Sequence, residues 1–215
     1  MDQLKFIPES HEYWVGEQRV PNVTGIIDYW NLIDTTHYPE EVKEDGSALH
    51  LACEYDDLGV LHEPSLTPPM VNRIQAYRAF KENHECVWDM TEKKLYHPKF
   101  WYAGTLDRSG LVVIDNEPRQ TLVDLKRGLF LPCYRLQTAA YVMMATLVHQ
   151  EKNPLNWYRM ILQLRKDGKY VPTMLYPDTL MADFQGFLGY LNAMNWEKAN
   201  NIKREVKREE QRSAA

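Results

Sequence analysis

YAGTLDRSGLVVIDNEPRQTLVDLKRG, residues 102–128, is the stretch whose reading decides the fold. It divides into β segments at 101–107, 111–114 and 121–126 separated by turn-forming residues, and two earlier segments, 86–90 and 94–96, extend the series into a meander that forms a sheet. The order of residues in it has a mechanical meaning. Side chains two apart on a strand point to one face, so Asp124 and Lys126 project together, with the Leu125 backbone carbonyl between them. With Asp107 on the neighbouring antiparallel strand, the carboxylates of Asp107 and Asp124 and that carbonyl make the all-oxygen set that suits Mg²⁺ or Mn²⁺, as one ion or two. A lysine beside such a cluster positions a water molecule and offsets charge that builds up on a phosphate. These are the parts needed to cut a phosphodiester.

Outward from this sheet the pattern changes. On the C-terminal side, residues 134–148 carry an apolar stripe of Leu136, Ala140, Met143, Met144 and Leu147, which predicts a helix. Gln137 and Tyr141 fall one turn apart on it and face the same way. A strand follows at 157–164, a hairpin turn at Asp167-Gly168, a strand at 170–175, and a final helix opened by Pro177-Asp178. On the N-terminal side, the first twenty residues alternate as a small β-hairpin. Thr24 is placed to cap a helix with Ile26, Ile27, Tyr29 and Trp30 on its apolar face. Residues 46–58 form another helix, whose spacing brings His50 and Glu54 onto one face, and a further helix runs over 69–83.

With 215 residues, 44% of them hydrophobic, the chain is long enough to bury one substantial core; a single domain is expected over 1–200, with a charged helical or disordered tail over 201–215. The net charge of −5 excludes a protein that coats nucleic acid through a general positive field, so any nucleic-acid contact is local. Cys53, Cys86 and Cys133 form no CxxC pair, which fits a reducing intracellular compartment. Residues 1–9 lack a basic stretch leading into an apolar run, and no segment approaches the roughly 18 apolar residues of a membrane span. The chain reads as soluble and cytoplasmic, with no membrane partner.

The spacing D-x(16)-D-x-K-x-G followed by Q-x-x-x-Y resembles the PD-(D/E)XK nucleases, in particular the RecB-like and phage lambda exonuclease-like (YqaJ-type) branch. The residues that carry the likeness are Gly104-Thr105-Leu106-Asp107, Val123 to Gly128, and Gln137 to Tyr141. To these are added Gly46 to His50, which looks like the helix of that branch that delivers a metal-binding histidine, and Glu92, which matches a glutamate often found on the preceding strand. The match spans roughly residues 20–165, and its specificity lies in the order of five motifs. It implies an α/β (α+β) fold with a central mixed sheet flanked by helices, a restriction-endonuclease-like core. It further implies an Mg²⁺- or Mn²⁺-dependent deoxyribonuclease acting on linear DNA, in phage-type recombination or repair, often as a ring-shaped homo-oligomer and beside a single-strand annealing protein. The expected metal ligands are His50, Asp107, Asp124 and the Leu125 carbonyl, with Glu92 as a further candidate, and the expected catalytic residues are Asp107, Asp124, Lys126, Gln137 and Tyr141. Thr24, Arg108, Arg127 and Arg135 are the candidate DNA contacts, although a cap explains Thr24 equally well and each arginine has a plain reading as a solvated charge. An iron–sulfur cluster is not expected, because related nucleases that hold one use four cysteines and this chain has three. A restriction-type endonuclease and a non-catalytic DNA-binding module with the same fold stand as alternatives.

Overall fold

A strand covered on both faces must alternate between two apolar cores rather than between core and water, and the central strands of this chain do so. The computed structural model describes residues 3–33 and 40–202, with only the backbone described at 40–45. Its main sheet has five strands in the order β4 (Val87–His97), β5 (Tyr102–Ile114), β6 (Glu117–Lys126), β7 (Tyr158–Leu164) and β8 (Tyr170–Leu175). β6 and β7 run parallel and all other neighbours antiparallel, so the sheet is mixed. On β6, Leu122 enters one core while Val123 and Leu125 enter the other; on β7, Ile161 and the pair Met160 and Leu162 divide in the same way.

The two faces are covered by different helices. α2 (Glu40–Asp57) and α3 (Pro68–Asn83) bury Leu49, Cys53, Ile74, Tyr77 and Phe80 against one face. α1 (Val23–Tyr29), α4 (Tyr134–Val148) and α5 (Leu180–Ala199) bury Ile26, Ala140, Met144, Phe184 and Phe187 against the other. A mixed five-stranded sheet flanked by helices, the restriction-endonuclease-like arrangement expected, is what the chain adopts. The parallel β6–β7 step is made possible by α4, which carries the chain back to the starting end of the sheet.

Several local expectations are corrected. The N-terminal hairpin is a three-stranded antiparallel sheet, β1 (Leu4–Ile7), β2 (Glu12–Val15) and β3 (Gln18–Val20), because the tight turn at Gly16 lets Val20 pair with Tyr13. The cap of α1 is Asn22, whose side chain accepts the Gly25 N–H at 2.7 Å, and Thr24 lies inside the helix. Segments 86–90 and 94–96 are one strand, as are 101–107 and 111–114. The Arg108-Ser109-Gly110 stretch that reads as a turn is buried and paired on both sides. Gly110 serves a close approach instead: a Cβ there would stand 2.1 Å from the Val87 carbonyl oxygen, where the β4–β5 register shifts between Trp88 and Met90. Of the expected tail, residues 203–215 lie outside the described residues. Among the described residues no helix is long and apolar enough to cross a membrane.

α1, α4 and β5 meet at Gly104, where an added Cβ would lie 2.7 Å from Cε1 of the buried Tyr141 ring and 3.4 Å from Cγ2 of Val23. Gly104→Ala is therefore expected to lower stability by about 1–3 kcal/mol through overpacking. The urea midpoint measures this, and an unchanged midpoint would show that the ring yields freely.

Candidate metal centre and its cleft

The most unusual backbone in the sheet sits at Glu92, with φ of 44° in the middle of an eleven-residue strand. A left-handed residue there breaks the alternation of β4, so that Met90 and Leu95, an odd number of residues apart, both reach the same core. Lys93 pairs with Leu106 and Thr91 with Arg108, which puts Glu92 beside Asp107 on β5. From the α2 side, His50 Nδ1 lies 3.3 Å from Asp107 Oδ1 and 3.5 Å from Glu92 Oε1. Among the described residues, the group able to hold a metal ion is His50, Glu92 and Asp107, whose ligand atoms all lie within 4.8 Å of one another.

This donor set fits a hard divalent cation. It offers one imidazole nitrogen and two carboxylates, and adjacent ligands on bonds of roughly 2.1 Å stand about 3 Å apart, close to the spacings found. Asp107 Oδ2 accepts the Leu125 N–H at 2.7 Å. The N–H and C=O of one strand residue point to the same side, so the Leu125 carbonyl also faces β5. Asp124 is not in the three-residue group. Its carboxylate is almost wholly buried, Lys126 Nζ stands 2.8 Å from Oδ2, and Oδ1 has no hydrogen-bond partner. A buried carboxylate oxygen left without a partner is what a site completed by a cation would contain.

Charge at the centre is paired off. Burial works against the charge on Asp107, but His50, Lys126 and the Leu125 amide outweigh it and hold its pKa below the usual carboxylate range. Burial lifts the pKa of Asp124 despite Lys126. Burial likewise disfavours the charged forms of Lys126 and His50, yet the neighbouring carboxylates raise both, His50 to about 10. Lys126 Nζ also lies 4.7 Å from the centre of the Tyr134 ring. Tyr134, Gln137 and Tyr141 form one face of α4, and Gln137 Nε2 makes a long 3.4 Å contact with the Tyr141 hydroxyl. Sequence reasoning did not include Tyr134, although its position one turn before Gln137 on the same face was available as a signal.

Of these groups, His50, Glu92, Asp107, Lys126, Gln137 and Tyr141 line part of a cleft of about 520 Å³, with Thr24 and Glu54 also on its walls, while Asp124 and Tyr134 are not on its lining. The arginines divide. Arg127 lies by α2, its Nε 3.7 Å from where a Gly46 Cβ would be. Arg108, expected to meet phosphate, is fully buried beneath the centre: Nη1 donates to Glu92 Oε1 (2.8 Å) and the Asp107 carbonyl (2.7 Å), and Nε donates to Asp57 Oδ2 (2.7 Å). Its full burial leaves the guanidinium facing Glu92 and Asp57 rather than the cleft, so it positions Glu92. Arg135 turns away toward α5, where Nε donates to Asp183 Oδ1 at 3.0 Å.

The sequence matches no protein-family model and no curated protein. Among solved structures, the chain is similar to the crystal structure of LHK-Exo in complex with dAMP, at 12% identity and a TM-score of 0.34, over 86% of this chain and 92% of that one.

With its pKa held at about 10, His50 carries a proton at neutral pH, and a cation needs the neutral ring. Cation affinity is therefore expected to rise about tenfold per pH unit up to about pH 10 and then level off. Calorimetric titration with Mn²⁺ at pH 7.5, in two buffers of different ionisation heat, should report about one proton released per ion. Release of none would place His50 outside the coordination shell.

Proposed function

We propose that the chain is a metal-dependent DNA exonuclease that hydrolyses phosphodiester bonds of linear DNA. The observation that supports this reading is the arrival of His50, Glu92, Asp107, Lys126, Gln137 and Tyr141, from five separate elements, on the wall of one cleft. Surface carboxylates gathered by chance would not be expected to stand over a buried arginine that pairs with one of them, itself carried on a left-handed backbone.

In this reading His50, Glu92 and Asp107, with Asp124 and the Leu125 carbonyl beside them, hold Mg²⁺ or Mn²⁺. The bound ion supplies Lewis acidity toward the phosphate and lowers the pKa of a water. Lys126 stays protonated, so it orients the attacking water and offsets negative charge at phosphorus rather than acting as a base. Water oxygen forms the new bond to phosphorus as the bond to the leaving sugar oxygen breaks; the water gives up one proton to solvent and the leaving oxygen takes one from solvent, so the products are a phosphate monoester and a sugar hydroxyl. Gln137 and Tyr141 face the same space, and their amide and hydroxyl are suited to hydrogen-bond a phosphate oxygen. Thr24, also on the lining of the cleft, is a further DNA contact, and Arg127 another from beside α2. The exonuclease part of the proposal rests on the resemblance of the histidine and Gln-x-x-x-Tyr motifs.

End-labelled linear duplex DNA is expected to disappear in Mg²⁺ or Mn²⁺ and to survive in EDTA, with closed circles intact. Lys126→Ala and Asp107→Asn should each lower the rate by about 10²–10³-fold or more, with circular dichroism unchanged. Cut circles would replace this reading with an endonuclease. Intact linear DNA bound by folded protein would replace it with a DNA-binding module.

A further inference from the structure

One wall of the cleft is built from the N-terminal sheet and plays no part in holding a cation. Phe6, His11 and Tyr13 lie on it, facing the same space as Asp107. His11 sits in the turn between β1 and β2 with φ of 51°, and it is exposed while Tyr13 is buried. Its ring stands edgewise to Phe6, with centroids 5.2 Å apart at 89°, and to Tyr13, at 5.8 Å and 86°, so neither neighbour lies flat on it. The wall is tied to the centre at two points. The Tyr13 hydroxyl shares a 2.7 Å hydrogen bond with Thr105 Oγ1, two residues before Asp107. Lys94, two residues beyond Glu92, donates to the Glu92 carbonyl at 3.3 Å and places its ammonium 5.5 Å from the Phe6 ring centre.

We propose that His11, propped by Phe6 and Tyr13 and flanked by Lys94, is a stacking subsite for an unpaired nucleobase beside the scissile phosphate. This rests on the phosphodiesterase reading above and specifies its substrate as a DNA strand with unpaired nucleotides at the point of attack. Bases inside a duplex already cover one another's faces, whereas an unpaired base offers its face to a protein ring, and stacking of this kind is tolerant of sequence. A cleft of about 520 Å³ is in the range filled by one small-molecule-sized unit, which matches a single nucleotide better than a duplex. Lys94 supplies the positive charge that the adjoining sugar-phosphate requires. Partial burial of the ring, and then Lys94, lower the pKa of His11, so the imidazole meets the base neutral at physiological pH. An exposed ring in a left-handed turn contributes little to the core of the small sheet, which Tyr13, Val15 and Val20 already fill.

The test uses the full chain and a short single strand carrying 2-aminopurine at each position in turn, with Ca²⁺ in place of Mg²⁺ to hold back cleavage. Two variants separate stacking from backbone effects: His11→Asn removes the ring but keeps a side chain that tolerates the left-handed region, and His11→Tyr keeps a ring without an imidazole. Wild type and His11→Tyr should quench 2-aminopurine at one position. His11→Asn should lose that quenching and bind roughly ten- to a hundredfold more weakly, with Mn²⁺ affinity unchanged. Quenching that survives in His11→Asn, or an absence of quenching in wild type, overturns the subsite. Hydrolysis by wild type in Mg²⁺ is scored separately: quenching without hydrolysis retains the subsite and rejects the nuclease, and hydrolysis with no His11 effect does the reverse.

Discussion

Three carboxylates are drawn into one small volume, and the offsetting of their repulsion is the constraint on which the rest of the arrangement depends. Each has its own cation, delivered by a different part of the chain. Glu92 meets Arg108 at 2.8 Å, Asp107 meets His50 at 3.3 Å, and Asp124 meets Lys126 at 2.8 Å. Arg108 comes from β5 itself and is held from below by Asp57 and the Tyr77 hydroxyl, so the charge at the centre is continuous with an ion network reaching Lys81 on α3. A buried pair that loses one partner costs several kcal/mol, so each cation contributes to stability as well as to the site. Of the three cations, Arg108 is fully buried and Lys126 largely so, while the His50 side chain is more exposed than either, lies on the cleft and can exchange its proton for a metal.

The parts legible in the sequence are those whose signal is periodic or local. Helix α4 falls on residues 134–148 as expected, because five apolar side chains mark one face without a breaker between them, and β8 is likewise found at 170–175. Asp107, Lys126, Gln137, Tyr141 and His50 reach one cleft because fixed spacings on strands and helices carry over directly into direction. What the sequence conceals is burial and backbone strain. Arg108 and Arg127 look alike in one dimension, but only the first has Asp57 and Glu92 folded around it, and those partners are 51 and 16 residues away. Arg135 is taken away by Asp183, which lies on α5.

Glycine and the turn-formers mislead in the same way. Gly110 reads as a break between two strands, whereas its lack of a side chain admits the Val87 carbonyl across a continuous one. Thr24 is a good capping residue two positions too late, since Asn22 already satisfies the free amide of Gly25. Glu92 could be suspected from its place before the Asp107 strand, but its positive φ has no signature in an eleven-residue stretch of otherwise ordinary strand formers. His11 and Phe6 carry no motif at all, and only the packing of the small sheet against β4 and β5 brings them to the cleft.

The bend at Glu92 also bears on how molecules of this protein meet one another. β4 is the outer strand of the five-stranded sheet, and an outer strand of eleven residues would ordinarily present a straight row of free amides and carbonyls to any passing chain. A left-handed residue in its centre, a register shift at Trp88 and Met90, and exposed Lys93 and Lys94 interrupt that row at several points. The same distortion that aims a carboxylate at Asp107 thus removes a template for intermolecular strand addition, and keeps a sticky border of the sheet from seeding aggregates.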